Sequence, residues 1–380
     1  MSWVLVVLGL ILFVCLVLVH EWGHYKAARN ADVDVEEFGL GFPPKIWGKK
    51  LKSGMLLSLN LLPLGGFVRL KGEHDADKTK GSFGAASTKN KVKIMLAGVV
   101  MNLAVALGLF TLLSLTGLPK LLPNQFAVSS DTKIIRNDVF VSFVEDNSPA
   151  SQAGLQVGDK LLRYGNVGQD CQSEECGFFT SSDVLKQVTS SNSDKELQIV
   201  YERSKEIKTT TAMLRSADEV EASQNSVEPK GYLGVLPSEY TVTRSTWSAP
   251  IQAVGVSGQI TWATLKGIGS ALGNLIIGNG SKASEQVSGP VGIFFILKEG
   301  SRLGINFLLM IIAVISLTLA IMNVLPIPAL DGGRLFVMLL FRGLKKPLTQ
   351  KTEERIHGTG FAALMLLFLL ITIVDVRRFF

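Results

Sequence analysis

The sequence predicts a multi-span α-helical membrane protein, with four transmembrane helices, a membrane-associated β-hairpin and an inserted extracytoplasmic α+β domain. Three observations carry this prediction. Charged residues make up only 18% of the 380 positions and hydrophobic residues 47%, against about 25% charged in ordinary soluble domains. Mean hydropathy is +0.33, and the apolar residues gather into long uncharged blocks, which excludes a wholly soluble protein. The basic residues are distributed unevenly among the connecting loops. Net charge is +6, yet Lys and Arg form no single stripe with interleaved aromatics, so the reading is no nucleic acid among the partners. Three cysteines without a CxxC pair exclude a disulfide scaffold and a zinc ribbon.

Uncharged apolar runs cover residues 3 to 19, 94 to 118, 304 to 330 and 358 to 374, each long enough to cross a bilayer. No Lys or Arg precedes the first run, as a signal peptide would require, so it is an uncleaved span. Residues 25 to 93 carry thirteen Lys and Arg, residues 334 to 357 carry six, and the residues before His20 carry none. The positive-inside rule makes both basic loops cytoplasmic and places both termini and residues 120 to 300 outside. Arg377 and Arg378 dissent. The expected location is a membrane with these loops on its cytoplasmic side.

Residues 246 to 279 hold one charge, Lys266, and an apolar stripe of Trp262, Leu265, Ile268, Leu272 and Leu275. One stripe with a polar back predicts a helix lying on the membrane surface rather than a fifth span. From Asn124 to Arg215 the composition is that of a soluble domain. Its run Ser148-Pro149-Ala150, Ala153-Gly154-Leu155, Gly158-Asp159 and Leu161-Leu162 resembles the bacterial PDZ signature. Such domains add an extended peptide to a sheet edge; a β-rich spacer is the alternative. Gly231-Tyr232-Leu233-Gly234-Val235 resembles the carboxylate-binding loop of that fold. Cys171 and Cys176 lie in the outward domain, where a bridge and two free thiols are both open readings. The predicted division is 1–120, the first two helices with the cytoplasmic hairpin loop; 121–236, the PDZ-like domain; 237–302, the surface helix and linker; and 303–380, the last two helices.

The first span runs into His20-Glu21-Trp22-Gly23-His24. In this HExxH the two imidazoles share a helix face and can hold one Zn2+, with Glu21 beside it as the base for a bound water. Such groups are costly at membrane depth, about 2.5 to 3.5 kcal/mol for a charge, so an idle cluster is a poor explanation. A catalytic zinc takes a third protein ligand. Two prolines break the chain between Asn323 and Gly333, and Asp331 is presented by that irregular backbone, which is tolerated at membrane depth only where it lines a polar cavity. The alternative for Asp331 is a helix N-cap at the membrane surface. The topology sets His20, His24 and Asp331 at similar depth. His74 reads as part of a solvated loop, and His357 as an interfacial residue at the start of the fourth span.

These segments together resemble the site-2 proteases, zinc metalloproteases that cut within the membrane, and in particular their bacterial sigma-E-regulating branch. The matching parts are HEWGH at 20–24, PLGGFVRL at 63–70, AGVVMN at 97–102, the PDZ signature, VSGPVGI at 287–293 and NVLPIPALDGGR at 323–334. AGVVMN lacks the usual proline, and one PDZ signature stands where relatives often have two. The resemblance implies that His20, His24 and Asp331 hold zinc, that Glu21 activates water, and that Asn323 helps to bind the substrate backbone. It implies partners in the form of a single-span membrane protein shortened on its outer side, such as an anti-sigma factor, and the lipid bilayer.

Residues 55 to 70 are too apolar for a cytoplasmic loop and too short for a helix pair. Pro63, Gly65 and Gly66 predict a hairpin turn between two strands. Its edge, with Gly65, Gly66 and Phe67 beside the metal, is expected to accept an unwound substrate segment by strand addition. An interfacial anchor is the plainer alternative. For the whole chain, the competitors to an intramembrane endopeptidase are a non-catalytic peptide receptor and a zinc transporter, the latter disfavoured because polar residues gather at only one membrane half.

Overall fold

A computed structural model describes residues 2–169, 171, 176–226, 229–277, 289–300 and 303–379; positions 278–279 and 287–288 of the predicted segments lie outside them. The chain forms two compact units, one of residues 1–118, 124–131 and 245–380, the other of residues 119–123 and 132–244.

In the first unit, α1 (Ser2–Asn30), α2 (Thr88–Thr116), α8 (Ile305–Val324) and α10 (Gln350–Phe379) are long and apolar enough to cross a membrane, and the shorter α7 (Pro290–Gly300) precedes α8. The apolar run of α1 continues as helix through the HExxH, because no proline intervenes and Gly23 allows α1 to approach α2, where a Cβ would meet the Ala97 carbonyl. The Ser87 hydroxyl starts α2 by accepting from Asn90 N–H, and Gly117 at φ 142° ends it. Leu16, Leu308, Ile311 and Ile312 pack where α1 meets α8. The third apolar run stops being helical at Val324, six residues earlier than its hydropathy suggests, since Pro326 and Pro328 cannot continue the backbone ladder. His357 consequently sits inside α10 rather than at its start.

The helix α6 (Ala249–Ile276) packs against α2, beginning where Ser245 N–H donates to the Ser114 carbonyl. It buries Gln252, Ala253, Val256, Ser257 and Ile260 and leaves Trp262, Leu265 and Leu272 of the apolar stripe exposed. Contact with another helix was not readable from the stripe, because the buried face is the one of mixed polarity. Asp131 fixes the start of α6 through the Thr246 and Ser248 hydroxyls and amides. Those hydroxyls hold its carboxyl well below the usual range, so the latch is ionised at neutral pH.

The segment after α1 differs from the predicted hairpin. Strands β1 (Val35–Lys50) and β2 (Leu56–Leu70) each bend back on themselves, and their halves interleave. Residues 35–40 pair with 70–66 on one side, and with 56–59 on the other, where Glu37 faces Leu56 and Leu40 faces Leu59; residues 45–50 then pair with 60–56. The chain does reverse near Pro63 and Gly65, but the two arms flank residues 35–40 instead of pairing with each other. The hairpin turn itself lies at Lys52-Ser53-Gly54, with Gly54 at φ +86°. Residues 66–70 and 45–50 are therefore the sheet edges, and 56–59 are interior. Polar side chains knit the sheet: Ser58 Oγ donates to Glu37 at 2.6 Å, Arg69 pairs with Glu37, and Asn60 Nδ2 donates to the Gly41 carbonyl at 3.1 Å.

In the second unit, β3 (Lys133–Val144), β4 (Lys160–Gly165), β6 (Glu196–Arg203), β7 (Glu206–Met213) and β8 (Val235–Arg244) form an antiparallel sheet in the order β8-β3-β4-β6-β7. The short β5 (Gly177–Phe178) pairs with β4. Helices α3 (Pro149–Gln152), α4 (Ser182–Ser191) and α5 (Ala217–Ser223) accompany it. Ser148 and Ser181 cap α3 and α4. Val139, Val141, Leu161, Leu185, Ile199 and Leu233 form the core. Alternating residues of β3 supply it from one face, as period-two patterning requires.

Cys171 and Cys176 are bonded to each other beside Val200. Alkylation of protein purified without reductant is expected to modify Cys15 alone; labelling of all three cysteines would refute the bridge in the native protein.

Candidate metal centre

The two histidines of α1 and the first residue of α9 (Asp331–Gly343) converge. His20 Nε2 lies 3.1 Å from His24 Nε2 and 3.2 Å from Asp331 Oδ2, and His24 Nε2 lies 3.1 Å from the same oxygen. Among the described residues this is the one cluster of three potential metal ligands. A tetrahedral zinc with bonds of about 2.0 to 2.1 Å separates its ligand atoms by roughly 3.3 Å, so the triangle fits that ion.

The outer nitrogens support the same conclusion. His24 Nδ1 lies 2.8 Å from the Ile94 carbonyl, which can only accept, so this nitrogen carries the proton and Nε2 presents a lone pair in the neutral ring. His20 Nδ1 is 3.2 Å from the carboxamide of Asn102, a fully buried residue of α2. With Nε2 directed at a metal, Nδ1 is the donor and the Asn102 oxygen its acceptor; the two ends of an amide are not distinguished by shape. Two lone pairs and a carboxylate facing one another at 3.1 Å repel unless a cation lies between them. The donor set and its outer partners thus suit zinc.

Asp331 is not an N-cap. Leu330 occupies that position with no side-chain cap bond, and the Asp331 carboxylate turns to the histidines. Leu325 is extended, Ala329 adopts φ +81°, and the Ala329 N–H donates to His357 Nδ1 at 3.2 Å. His357 therefore supports the bend that delivers Asp331, a role its position near a predicted interface did not suggest. Gly332 and Gly333 allow the bend to close, since a Cβ on either would strike the Val324 or Ile327 carbonyls. His74, expected in a solvated loop, instead faces Glu353 and Glu354 at 3.8 and 3.5 Å.

The cavity around the cluster has a volume of about 590 Å³. Glu21, Gly65, Gly66, Phe67, Asn323 and Asp331 all line it, so the residues singled out from the sequence meet at one place. The Val68 N–H faces the Glu21 carboxylate, and Leu70 N–H donates to Glu73 at 2.8 Å. These are outward amides of the 66–70 edge. A Cβ on Gly66 would come within 3.0 Å of Glu21 Cγ, which explains glycine there.

Gly98 and Asn102 are the residues that sequence reasoning passed over. A side chain at Gly98 would run into both imidazoles. The signal was present in AGVVMN, whose Gly and Asn lie four apart on one helix face.

Two imidazoles, a carboxylate and a neighbouring glutamate in a cavity among apolar helices define a metal-dependent hydrolase site of a membrane protein. The comparisons agree. The description Peptidase family M50 matches residues 8–367, and the chain belongs to that family. It is 30% identical to a candidate zinc metalloprotease of Clostridium perfringens, over 98% of each chain. It is 28% identical to the zinc metalloprotease RasP of Shouchella clausii, covering 97% of this chain and 98% of that one. It is 25% identical to the regulator of sigma-W protease RasP of Bacillus subtilis, covering 99% of each.

Replacing Asn102 by Leu keeps the volume and removes the acceptor for His20. Zinc affinity, measured by chelator competition, is expected to fall about 10- to 100-fold with the helical content unchanged; unaltered affinity would remove Asn102 from the metal's support.

Proposed function

We propose that this chain hydrolyses a peptide bond in or near the transmembrane segment of single-span membrane proteins. As a member of Peptidase family M50 it is a zinc metalloendopeptidase. The observation that carries the finer reading is the position of the HExxH and Asp331 among helices apolar enough to span a bilayer.

In this reading His20, His24 and Asp331 hold the zinc. Bound zinc supplies Lewis acidity, bringing the pKa of a coordinated water toward about 7 and polarising the scissile carbonyl. Glu21 takes the proton of the attacking water and returns it to the leaving amine. Asn323, which lines the same cavity, binds the substrate backbone. A helical substrate has its amides bonded internally and must unwind, which in lipid costs several kcal/mol for each unpaired group. The 66–70 edge accepts the unwound segment and offsets that cost. The Val68 N–H faces Glu21, and a substrate carbonyl that takes it leaves Glu21 to act as the base.

The second unit is read as a PDZ-like domain outside the cytoplasm, where its disulfide suits an oxidising compartment. There it selects substrates already shortened on that side. The basic loops are cytoplasmic, and a pre-cleaved anti-sigma factor in envelope-stress signalling is the substrate this arrangement suits best.

Glu21→Gln preserves shape and removes the base, so zinc content is expected to stay normal while cleavage of a tagged single-span protein falls by at least about 100-fold. Turnover near that of the parent protein would exclude Glu21 from proton transfer. Val68→Pro deletes one outward amide at a sheet edge, a position proline tolerates. Cleavage is expected to be lost with zinc retained, and full activity in that variant would mean that the substrate is not held on this strand.

A further inference from the structure

We propose that an apolar cavity on the back of the HExxH helix binds an anionic phospholipid of the surrounding bilayer. The cavity, of about 540 Å³, lies between α1 and the interleaved sheet, on the face of α1 turned away from the metal cluster. Leu18, Trp22 and Tyr25 form one wall, and Phe38, Met55 and Leu57 the other. The volume is that of a small-molecule site.

Its chemistry restricts the occupant. No charged side chain lines it, so a peptide entering it would leave its backbone amides and carbonyls unpaired. A hydrocarbon chain brings no such groups. Trp22 and Tyr25, 5.3 Å apart between ring centroids, are the amphipathic residues that settle at a membrane–water boundary.

The mouth of the cavity is cationic. The stripe of α1 that carries Leu18, Trp22 and Tyr25 continues one turn further to Lys26 and Arg29. From the sheet, Lys49 stands directly opposite Leu57, so its side chain leaves on the cavity face, and Lys52 follows Leu51 in the turn beside it. All four cations are exposed, and none has an ion-pair partner among the described residues. An apolar slot rimmed by unpaired cations at the end of a spanning helix matches a lipid with acyl chains and a negative headgroup. A free phosphate would leave the slot empty, and a zwitterionic lipid, whose phosphate is balanced by its own cation, would bring no net charge to offset the four of the rim.

The test uses the full chain in symmetric vesicles, so that the sidedness of insertion does not enter. Phosphatidylcholine vesicles are doped with brominated-chain phosphatidylglycerol or, at equal mole fraction, brominated-chain phosphatidylcholine. Quenching of tryptophan fluorescence is measured in the parent protein and in Trp22→Phe, and the difference isolates Trp22. Half-quenching of that component is expected at a phosphatidylglycerol fraction at least about fivefold below the phosphatidylcholine one, the effect of a single engaged cation. Combining Lys26→Gln, Arg29→Gln, Lys49→Gln and Lys52→Gln is expected to abolish the preference while leaving quenching by brominated phosphatidylcholine intact. Equal quenching by the two lipids, no quenching of Trp22 by either, or a preference that survives the four substitutions would each overturn the proposal.

Discussion

The meeting of two imidazole nitrogens and a carboxylate within 3.2 Å of one another is the constraint to which the helical unit conforms. It requires α1 to remain helical beyond its apolar run, so that His20 and His24 share a face. It also requires α8 to end at Val324 and the chain to bend before Asp331, because an unbroken helix would carry the aspartate past the histidines. Glycine stands where elements must approach for this to happen: Gly23 lets α1 near the α2 backbone, Gly98 leaves room for both imidazoles, and Gly332 and Gly333 lie beneath the bend. Larger side chains at these positions would push apart the elements that bring the ligands together.

A second layer of contacts fixes the orientation of the ligands. Ile94 and Asn102, both on α2, face the outer nitrogens of the two histidines, and His357 on α10 holds the Ala329 amide two residues from Asp331. Two helices that supply no candidate ligand thus orient the site, α2 by setting which lone pairs of the histidines point inward and α10 by holding the bend before Asp331. Ser316 Oγ of α8 donates to the main-chain carbonyl of Asn102 at 2.8 Å, tying α8 to α2 at the same level. In apolar surroundings each of these groups would be costly if left unpaired, so the chain that presents the ligands also satisfies the polar atoms around them.

The sequence made the metal site readable because its chemistry is local. HExxH places two imidazoles and a carboxylate on one helix turn, and two prolines ahead of one aspartate mark a backbone break that hydropathy alone cannot explain. The four apolar helices were legible for the same reason, each being a contiguous run. The interleaved sheet was not. Pro63 and Gly65 do mark a reversal, but which strand lies beside which depends on residues 35–40, some 25 positions away, and no local pattern encodes their insertion between the two arms. The contact of α6 with α2 was hidden similarly, since small and polar residues pack well between helices in lipid but read as a solvated back. Asn102 was obscured because a buried amide has meaning only once its histidine neighbour is known.

The sheet brings the two lines of reasoning together. A small sheet among apolar helices has two edges, and every amide on them needs a partner. At the 66–70 edge carboxylates face the outward amides: Glu21 lies opposite the Val68 N–H, and Glu73 accepts from Leu70 N–H. A carboxylate can be exchanged for a backbone carbonyl without leaving the amide unpaired, which a strand-to-strand bond within the protein would not permit so cheaply. The edge beside the metal is therefore satisfied in the free protein yet open to replacement. Inside the sheet, Glu37 is shared by Ser58 and Arg69, which fixes the strands that the edge rests on. A rigid interior and an exchangeable edge are the two properties that the proposed capture of unwound chain requires.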